Sequence, residues 1–437
     1  MLYVLPPGGG KTILFSSICA GAVSLGKRVL ILCHRAELID QVSRAIEDQG
    51  VQHGYISAQY EYERGLPVYI ASVFTLAKRL ALFTPDLVVI DEAHHVTPTT
   101  TWGRILEHYP KALRLGVTAS PIRLSGQGLD SFFEAMVEGP TYETLIAEGF
   151  LTPVKVYAPP TIDTQGLHTR LGDYAQGEVA ERATKPSVTG DAIEHYRRLT
   201  PGKRAVVFDV SIAAARARAD SFRAAGFTAD CIDGSLDPQL RRRLVSDFRA
   251  GRLQVLTSCE LISEGFDLPA IEVGISLRPT QSIGLYLQQT GRILRPFEGK
   301  SVSYLFDHAG NVHRFGLPTQ SRSWSLSGLA ESTHGAKPVA SVRVCPQCFC
   351  AQSNRVLVCV QCGHRFESRP RAVVEREGEL EEITLTADQL AARRKRAEQG
   401  KARSLESLIE IGRMRRMRNP VGWATHVFNA RKAKGRA

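Results

Sequence analysis

The sequence has no long apolar run and no stretch typical of an export signal. Its 437 residues contain nothing close to the ~20 consecutive apolar residues that span a bilayer. The short apolar run at 2–5 leads directly into glycines, which does not fit the apolar region of a signal peptide. No segment repeats at a fixed period. We therefore expect a cytoplasmic protein of two or three globular domains with no membrane partner.

Cysteine is scarce outside one short segment. Four of the nine cysteines stand singly among apolar residues and are typical of buried thiols. The other five lie between positions 345 and 362, a spacing typical of a metal site in an intracellular chain rather than of a disulfide framework.

Two Cys-x-x-Cys pairs carry this prediction. Cys345 with Cys348 and Cys359 with Cys362 are separated by ten residues, which predicts a zinc ribbon with four thiolate ligands. A redox dithiol is the weaker alternative. Cys350 is surplus, either a substitute for Cys348 or free.

Positive charge is concentrated at the C-terminus. The formal net charge is +11, and residues 388–437 contain fourteen Lys or Arg against four acids, an excess of ten. Such a cluster suits a polyanion, because neutralised phosphates release condensed counterions. A solvated helical face is an equally good interpretation of the tail alone.

Short β-branched runs alternate with helical patterns over the first three hundred residues. The first series of predicted strands is 2–5, 28–32, 68–71, 87–90 and 113–117, and the second is 205–208, 229–232, 254–257, 272–276 and 302–306. Helical segments between strands predict two α/β lobes with mostly parallel sheets and a crevice at the carboxyl ends of the strands.

Changes in composition suggest the domain boundaries. The predicted domains and segments are a first lobe at 1–158, an interlobe segment at 159–201, a second lobe at 202–315, a Ser/Gly-rich linker at 316–340, the zinc ribbon at 341–368 and a basic helical tail at 385–437.

A glycine-rich loop at 6–12 (PPGGGKT) follows the first apolar strand and precedes a helical run. This is the context of a phosphate-binding loop, in which backbone N–H groups and the helix dipole face the phosphates. The loop glycines are Gly8, Gly9 and Gly10. Lys11 is predicted to reach the β- and γ-phosphates, and the Thr12 hydroxyl to bind Mg²⁺.

An acidic pair ends the apolar strand at 87–90. Carboxylates are costly at such a position without a cation partner. Asp91 is predicted to hold Mg²⁺ through water, and Glu92 to orient and deprotonate the attacking water. The loop and the acidic pair together indicate an enzyme that hydrolyses a nucleoside triphosphate.

The order of these motifs resembles the DEAD/DEAH-box helicases of superfamily 2, over about residues 2–307. The segment 91–94 (DEAH) is one match, and 29–35 (VLILCHR), 72–76 (SVFTL) and 118–120 (TAS) resemble motifs that contact nucleic acid or couple it to hydrolysis. The resemblance implies two tandem RecA-like lobes, ATP as cofactor and DNA as the favoured partner, with RNA not excluded. Its nucleic-acid and coupling residues are His34, Arg35, Thr75, His94, Thr118 and Ser120.

Two further matches fall in the second lobe. The segment 263–267 (SEGFD) resembles a motif that touches both nucleotide and strand, which implies roles for Gly265 and Asp267. The segment 288–295 (QQTGRILR) resembles the arginine-finger motif. It implies Gln288 as a catalytic residue, Arg295 as the finger and Arg292 as its phosphate-contacting neighbour. A finger in the opposite lobe makes hydrolysis depend on lobe closure.

The whole arrangement resembles RadD-type and phage or prophage helicases. The segment 306–311 (FDHAGN) adds to this resemblance. Repair or replication proteins are the partners this implies. Only five residues precede Pro6, so the family's adenine-reading glutamine motif has no room, and we expect a fragment, a late start or a pocket completed in another way.

Three functions follow as hypotheses. The first is an ATP-dependent translocase or helicase on DNA. The second is a truncated, catalytically weak module that grips nucleic acid through the ribbon and tail. The third is the motor subunit of a restriction or repair complex whose nuclease is a separate chain.

Overall fold

The computed structural model describes residues 1–34, 36–123, 128–159, 167–170, 173–183, 185–259, 268, 270–327, 342–366, 398–399, 402, 404–415, 417 and 419–432. The chain forms two compact units, Met1–Ser368 and Arg369–Ala437. Within the described residues, no helix combines the length and apolar character needed to cross a membrane.

The first lobe is built on a seven-stranded sheet. Its strands are β1 (Leu2–Val4), β2 (Val29–Cys33), β3 (His53–Ile56), β4 (Val68–Ser72), β5 (Leu87–Asp91), β6 (Leu113–Thr118) and β7 (Met136–Glu138). All pairings are parallel, in the order β3-β4-β2-β5-β6-β1-β7. Its helices are α1 (Lys11–Ser24), α2 (Ala36–Glu47), α3 (Val73–Leu76), α4 (Thr101–His108) and α5 (Tyr142–Ala147).

Strand β2 shows why the central strands are continuous apolar runs. Leu30 and Leu32 enter one hydrophobic core, whereas Val29 and Ile31 enter another on the opposite face. Both faces of a parallel sheet are covered, so alternation with polar residues disappears. The predicted strands of this lobe are confirmed, and β3 and β7 were missed because they are short and weakly apolar.

The second lobe is built on an eight-stranded sheet. Its strands are β8 (Val154–Tyr157), β11 (Ala205–Phe208), β12 (Ala229–Cys231), β13 (Val255–Ser258), β14 (Val273–Ser276), β15 (Ser303–Asp307), β16 (Val342–Val344) and β17 (Cys350–Ser353), and β9 (Thr169–Arg170) with β10 (Asp173–Tyr174) form a separate pair. Its helices are α6 (Gln176–Ala183), α7 (Pro186–Leu199), α8 (Ile212–Ala224), α9 (Pro238–Arg249), α10 (Ile283–Ile293) and α11 (Asn311–Phe315).

The order of this sheet is β12-β13-β11-β14-β15-β8-β17-β16. Strand β8 pairs in parallel with β15, although it lies within the segment predicted as the first lobe. Strands β16 and β17 of the cysteine segment then extend the sheet in antiparallel fashion from β8. The ribbon is therefore continuous with the second lobe's sheet.

In the part of the tail unit that the structure describes, two helices pack together, α12 (Leu405–Met414) and α13 (Pro420–Lys432). Ala402, Leu408 and Ala424 are buried between them, and Trp423 packs against this cluster. Further apolar side chains of the two helices pack against the same cluster, among them Leu405, Ile409 and Phe428.

Candidate functional site

Five parallel strands bring the first lobe's motifs to one edge of the sheet. The glycine loop follows β1, the acidic pair ends β5, and Thr118 ends β6. His34 directly follows β2, and Thr75 lies in α3, directly after β4. Because these strands are neighbours and parallel, their carboxyl ends lie together, which is the edge where α/β sheets bind ligands.

The glycine loop needs backbone conformations that favour glycine. Gly8 has a φ of 82° and Gly10 a φ of 89°, both in the left-handed region. Gly10 is the residue before α1, so the loop leads directly into a helix N-terminus, where Thr12 lies in the first turn. The Gly9 N–H donates to the carbonyl of Pro6 at 2.9 Å, which closes the loop.

The predicted phosphate lysine contacts the predicted general base. Lys11 Nζ lies 2.7 Å from Glu92 Oε1, and both side chains are largely buried. Burial alone would raise the pKa of Glu92, but the charge of the adjacent Lys11 outweighs burial and lowers it. Burial and the adjacent Glu92 charge raise the pKa of Asp91.

Glu92 also has an unusual backbone, with a φ of 50° in the left-handed region. Such a conformation is uncommon for a residue other than glycine and clusters at functional sites.

The Thr12 hydroxyl and the Asp91 carboxylate are oxygen donors of the kind that Mg²⁺ prefers.

His94 connects the acidic pair to the end of β6. Its Nδ1 lies 3.0 Å from Thr118 Oγ1 and 3.4 Å from Glu92 Oε2. Thr118 Oγ1 donates its proton to the carbonyl of Ser120 at 2.9 Å, so its oxygen is left to accept from His94 Nδ1–H. Thr118 and Ser120 are thereby joined to the site.

The other ring nitrogen of His94 faces the second lobe. His94 Nε2 lies 3.5 Å from Gln288 Nε2 on α10. With Nδ1 protonated, Nε2 is the acceptor and the Gln288 amide is the donor. This contact joins the two lobes directly at the predicted catalytic centre.

Helix α10 packs closely on the glycine loop. A β-carbon added to Gly291 would lie 2.1 Å from Cβ of Pro7, and one added to Gly8 would lie 3.4 Å from Cγ of Arg295. Arg292 lies in the last turn of α10, and Arg295 follows its end. The segment predicted to carry the arginine finger therefore adjoins the loop predicted to bind phosphates.

The remaining predicted nucleic-acid residues are placed only in part. The His34 ring lies 4.7 Å from that of His95, next to His94. Arg35, Gly265 and Asp267 lie outside the described residues.

The four predicted zinc ligands form one cluster. Cys345 Sγ lies 3.6 Å from Cys362 Sγ, and Cys348 Sγ lies 3.6 Å from Cys359 Sγ. All four sulfur atoms lie within 4.8 Å of one another. Zinc–sulfur bonds of about 2.3 Å in a tetrahedron place sulfur atoms about 3.8 Å apart, so the cluster fits such an ion. Cys350 lies outside the cluster, buried in the core of the second lobe.

Residues 317–327 were predicted as part of a linker but contact both lobes. Trp324 packs against both hydrophobic cores, and the backbone near Leu326 bonds to the first lobe. The sequence analysis missed this, although a tryptophan within a Ser-rich segment, one of three in the chain, is a signal that could have indicated buried structure here.

Two family models match the chain. The res subunit of type III restriction enzymes matches residues 1–123, and the helicase conserved C-terminal domain matches residues 189–296.

Relatives and a solved structure agree with these matches. The chain is 34% identical over 384 residues to a 51.5 kDa protein of Lactococcus phage (isolate 7-9), covering 86% of this chain and 81% of that one. It is 28% identical to a Schizosaccharomyces pombe protein named as the mitochondrial ATP-dependent helicase irc3, covering 75% of this chain and 56% of that one. A fragment described as an HsdR subunit of a type I restriction enzyme from Vibrio vulnificus YJ016 has the same fold, with a TM-score of 0.59 at 19% identity over 72% of this chain and 61% of that one.

The chain belongs to the superfamily 2 helicases, the class of two-lobed motors that hydrolyse ATP to act on nucleic acid. The predicted fold of two RecA-like lobes and the predicted ATPase class are confirmed.

Proposed function

We propose that this protein hydrolyses ATP to move along DNA and to separate or remodel its strands. The observation that carries the proposal is the convergence of Lys11, Glu92 and His94 of the first lobe with Gln288 and Arg295 of the second. Phosphoryl transfer depends on positioning and charge stabilisation, and these side chains are of the types it needs.

Each residue has a part in this proposal. Gly8, Gly9 and Gly10 cradle the phosphates with their N–H groups, Lys11 pairs with the terminal phosphates, and Glu92 takes the proton of the attacking water. Thr12 and Asp91 would hold Mg²⁺, which neutralises phosphate charge when it is bound with ATP.

The second lobe completes the site. Arg295 faces the charge that develops on the transferred phosphoryl group, and Arg292 contacts a neighbouring phosphate. Gln288 links the two lobes through His94. Gly265 and Asp267 are proposed from the motif match alone.

Nucleic acid is proposed to bind along the edge that carries His34 and Thr75, with Arg35 proposed from the motif match alone. His94, Thr118 and Ser120 are proposed to couple binding to hydrolysis. Cys345, Cys348, Cys359 and Cys362 would hold Zn²⁺. DNA is the favoured polymer over RNA, with repair or replication proteins as further partners. The likeness to RadD-type helicases and the cytoplasmic location stay predictions.

The test is the ATPase rate on a panel of single-stranded, duplex and forked DNA and the matching RNAs. We expect hydrolysis to be stimulated most by single-stranded or forked DNA and to be lost in Glu92→Gln. Binding without stimulated hydrolysis in the wild type would instead support a nucleic-acid-binding module.

A second candidate function is the motor subunit of a restriction or repair complex. The match to the res subunit of type III restriction enzymes over the first lobe favours it. ATP-driven translocation on duplex DNA without strand separation, measured by triplex displacement, would distinguish this role from a helicase.

A further inference from the structure

Residues 317–327, here called the strap, run from the end of the second lobe onto the first. The carbonyl of Leu326 accepts hydrogen bonds from the N–H groups of Leu129 at 2.6 Å and Asp130 at 3.1 Å. The backbone N–H of Trp324 donates to Glu138 Oε1 on β7 at 3.4 Å. The far end of the strap is thus bonded to the first lobe's backbone and to its edge strand.

Arg322 joins the near end of the strap to the second lobe through one hydrogen bond and folds the strap on itself through three others. Its guanidinium donates to the carbonyl of Phe315 in α11 at 3.2 Å, and to those of Leu317, Pro318 and Gln320 within the strap at 2.7–3.2 Å. The Tyr286 hydroxyl of α10 donates to the carbonyl of Gly316 at 2.9 Å, just before the strap. Helix α10 is therefore tied to the start of the strap.

Arg322 also lies close to a helix of each lobe. Burial lowers the pKa of its guanidinium, and the neighbouring Tyr142 of α5 and Tyr286 of α10 oppose that shift. Tyr142 in turn belongs to a small apolar cluster with Leu294, the residue before the predicted finger.

Trp324 spans the boundary between the lobes. It is partly buried and packs against the hydrophobic core of the first lobe and against that of the second. A large aromatic side chain in such a position contributes packing to both bodies at once. Its removal would weaken the attachment of one lobe to the other while leaving the interior of each lobe intact.

We infer that the strap is a positioning element of the ATPase, in which Arg322 and Trp324 hold α10 against the glycine loop. The inference rests on the proposed function. Arg295 can act only when α10 stays in register with the loop, and a misplacement of about 1 Å can cost about 100-fold in rate. Arg322 and Trp324 belong to none of the motifs proposed to bind phosphates, so we expect both to act through the placement of α10.

The test compares Trp324→Ala with Trp324→Phe in the full chain. We expect Trp324→Ala to lower the DNA-stimulated kcat about 10- to 100-fold with KM for ATP changed by less than about two-fold, because the phosphate loop itself is untouched. Trp324→Phe should recover most of the rate. Phe227→Ala, which removes a partly buried aromatic from a different cluster of the second lobe, is the matched control and should keep wild-type kcat.

Hydrogen exchange at the amides of Leu129 and Asp130 reports directly on whether the strap is attached. Faster exchange there together with a reduced stimulated kcat supports the inference. Faster exchange with wild-type kcat overturns it, as does a loss of rate that Trp324→Phe fails to recover at wild-type thermal stability.

If Trp324→Ala does not fold, Arg322→Lys is measured in the same way. Lysine cannot reach four carbonyls, so kcat should again fall with little change in KM, and unchanged kcat with faster exchange overturns the inference. A wild type without DNA-stimulated hydrolysis is a different outcome, because it contradicts the proposed function itself.

Discussion

Lys11 and Glu92 form a 2.7 Å ion pair, so the cation predicted to bind phosphates neutralises the carboxylate predicted to activate water. On the proposed function, incoming phosphates would compete with Glu92 for Lys11, and their binding would free the carboxylate to face water.

Substitutions at these two positions should separate binding from chemistry. We expect Lys11→Ala to lose most ATP binding, because the cation proposed to pair with the terminal phosphates is removed. Glu92→Gln should still bind ATP but lower kcat about 10²- to 10⁴-fold through loss of the base. Fluorescent-nucleotide titration and steady-state ATPase assays measure the two effects. Lys27→Ala, at an exposed lysine just beyond α1, is the control and should match wild type.

The close packing of α10 on the glycine loop predicts a strong effect from one added methyl group. In Gly291→Ala the new β-carbon would meet Cβ of Pro7 at 2.1 Å, so α10 must move away from the loop. We expect the DNA-stimulated kcat to fall about 10-fold or more.

Gly21→Ala is the matched control for this change. Gly21 is also helical, and a β-carbon there meets no atom within 4 Å, so stability should rise by about 0.5–1 kcal/mol with kcat unchanged. Equal kcat in both variants would show that the contact between Gly291 and Pro7 does not control the site.

The cysteine cluster predicts one zinc ion per chain. Cys348→Ser should lose that metal, whereas Cys350→Ala should retain it, because Cys350 lies outside the cluster. Elemental analysis of the purified proteins measures both. If zinc content fell in Cys350→Ala and not in Cys348→Ser, Cys350 and not Cys348 would be the fourth zinc ligand.

Metal removal should also weaken the second lobe. Strand β17 of the ribbon pairs with β8, so a ribbon without its ion would leave β8 as the edge of the sheet. We expect chelation to lower the midpoint of thermal unfolding by about 5 °C or more. An unchanged midpoint after verified metal loss would mean that the pairing does not depend on the ion.

Two arginine–aspartate pairs in the second lobe should differ sharply in their contribution to stability. Arg218 Nε lies 3.2 Å from Asp209 Oδ2 with both side chains almost fully buried, whereas Arg216 is 57% exposed in its pair with Asp233. Arg218→Ala leaves a buried carboxylate without its partner and should cost about 3–5 kcal/mol. Arg216→Ala should cost about 1 kcal/mol or less. Urea unfolding measures both free-energy costs. Similar costs would contradict the prediction that the buried pair contributes more to stability than the exposed one.

Local patterns in the sequence were enough to predict that most of the first-lobe motifs lie at one edge of the sheet. The glycine loop, the acidic pair at the end of β5 and the segment at 118–120 each follow an apolar strand, and parallel strands bring their carboxyl ends to one edge. The four clustered cysteines were likewise predicted from spacing alone, because Cys-x-x-Cys turns place their sulfur atoms locally.

The sequence by itself determined the class of protein and the two mostly parallel sheets, because these depend on short-range patterns. Tertiary structure alone decided that β8 and the ribbon extend the second sheet, that Trp324 joins the two cores, and that His94 meets Gln288. His94 and Gln288 are 194 positions apart, and β8 pairs with strands about 150 or more positions away. Strand pairing at such separations depends on which edge is left open when the lobes fold. Local composition does not encode that edge. The segment containing Trp324 was predicted as a linker because its composition is Ser-rich, and its contacts with both cores form only in the folded chain.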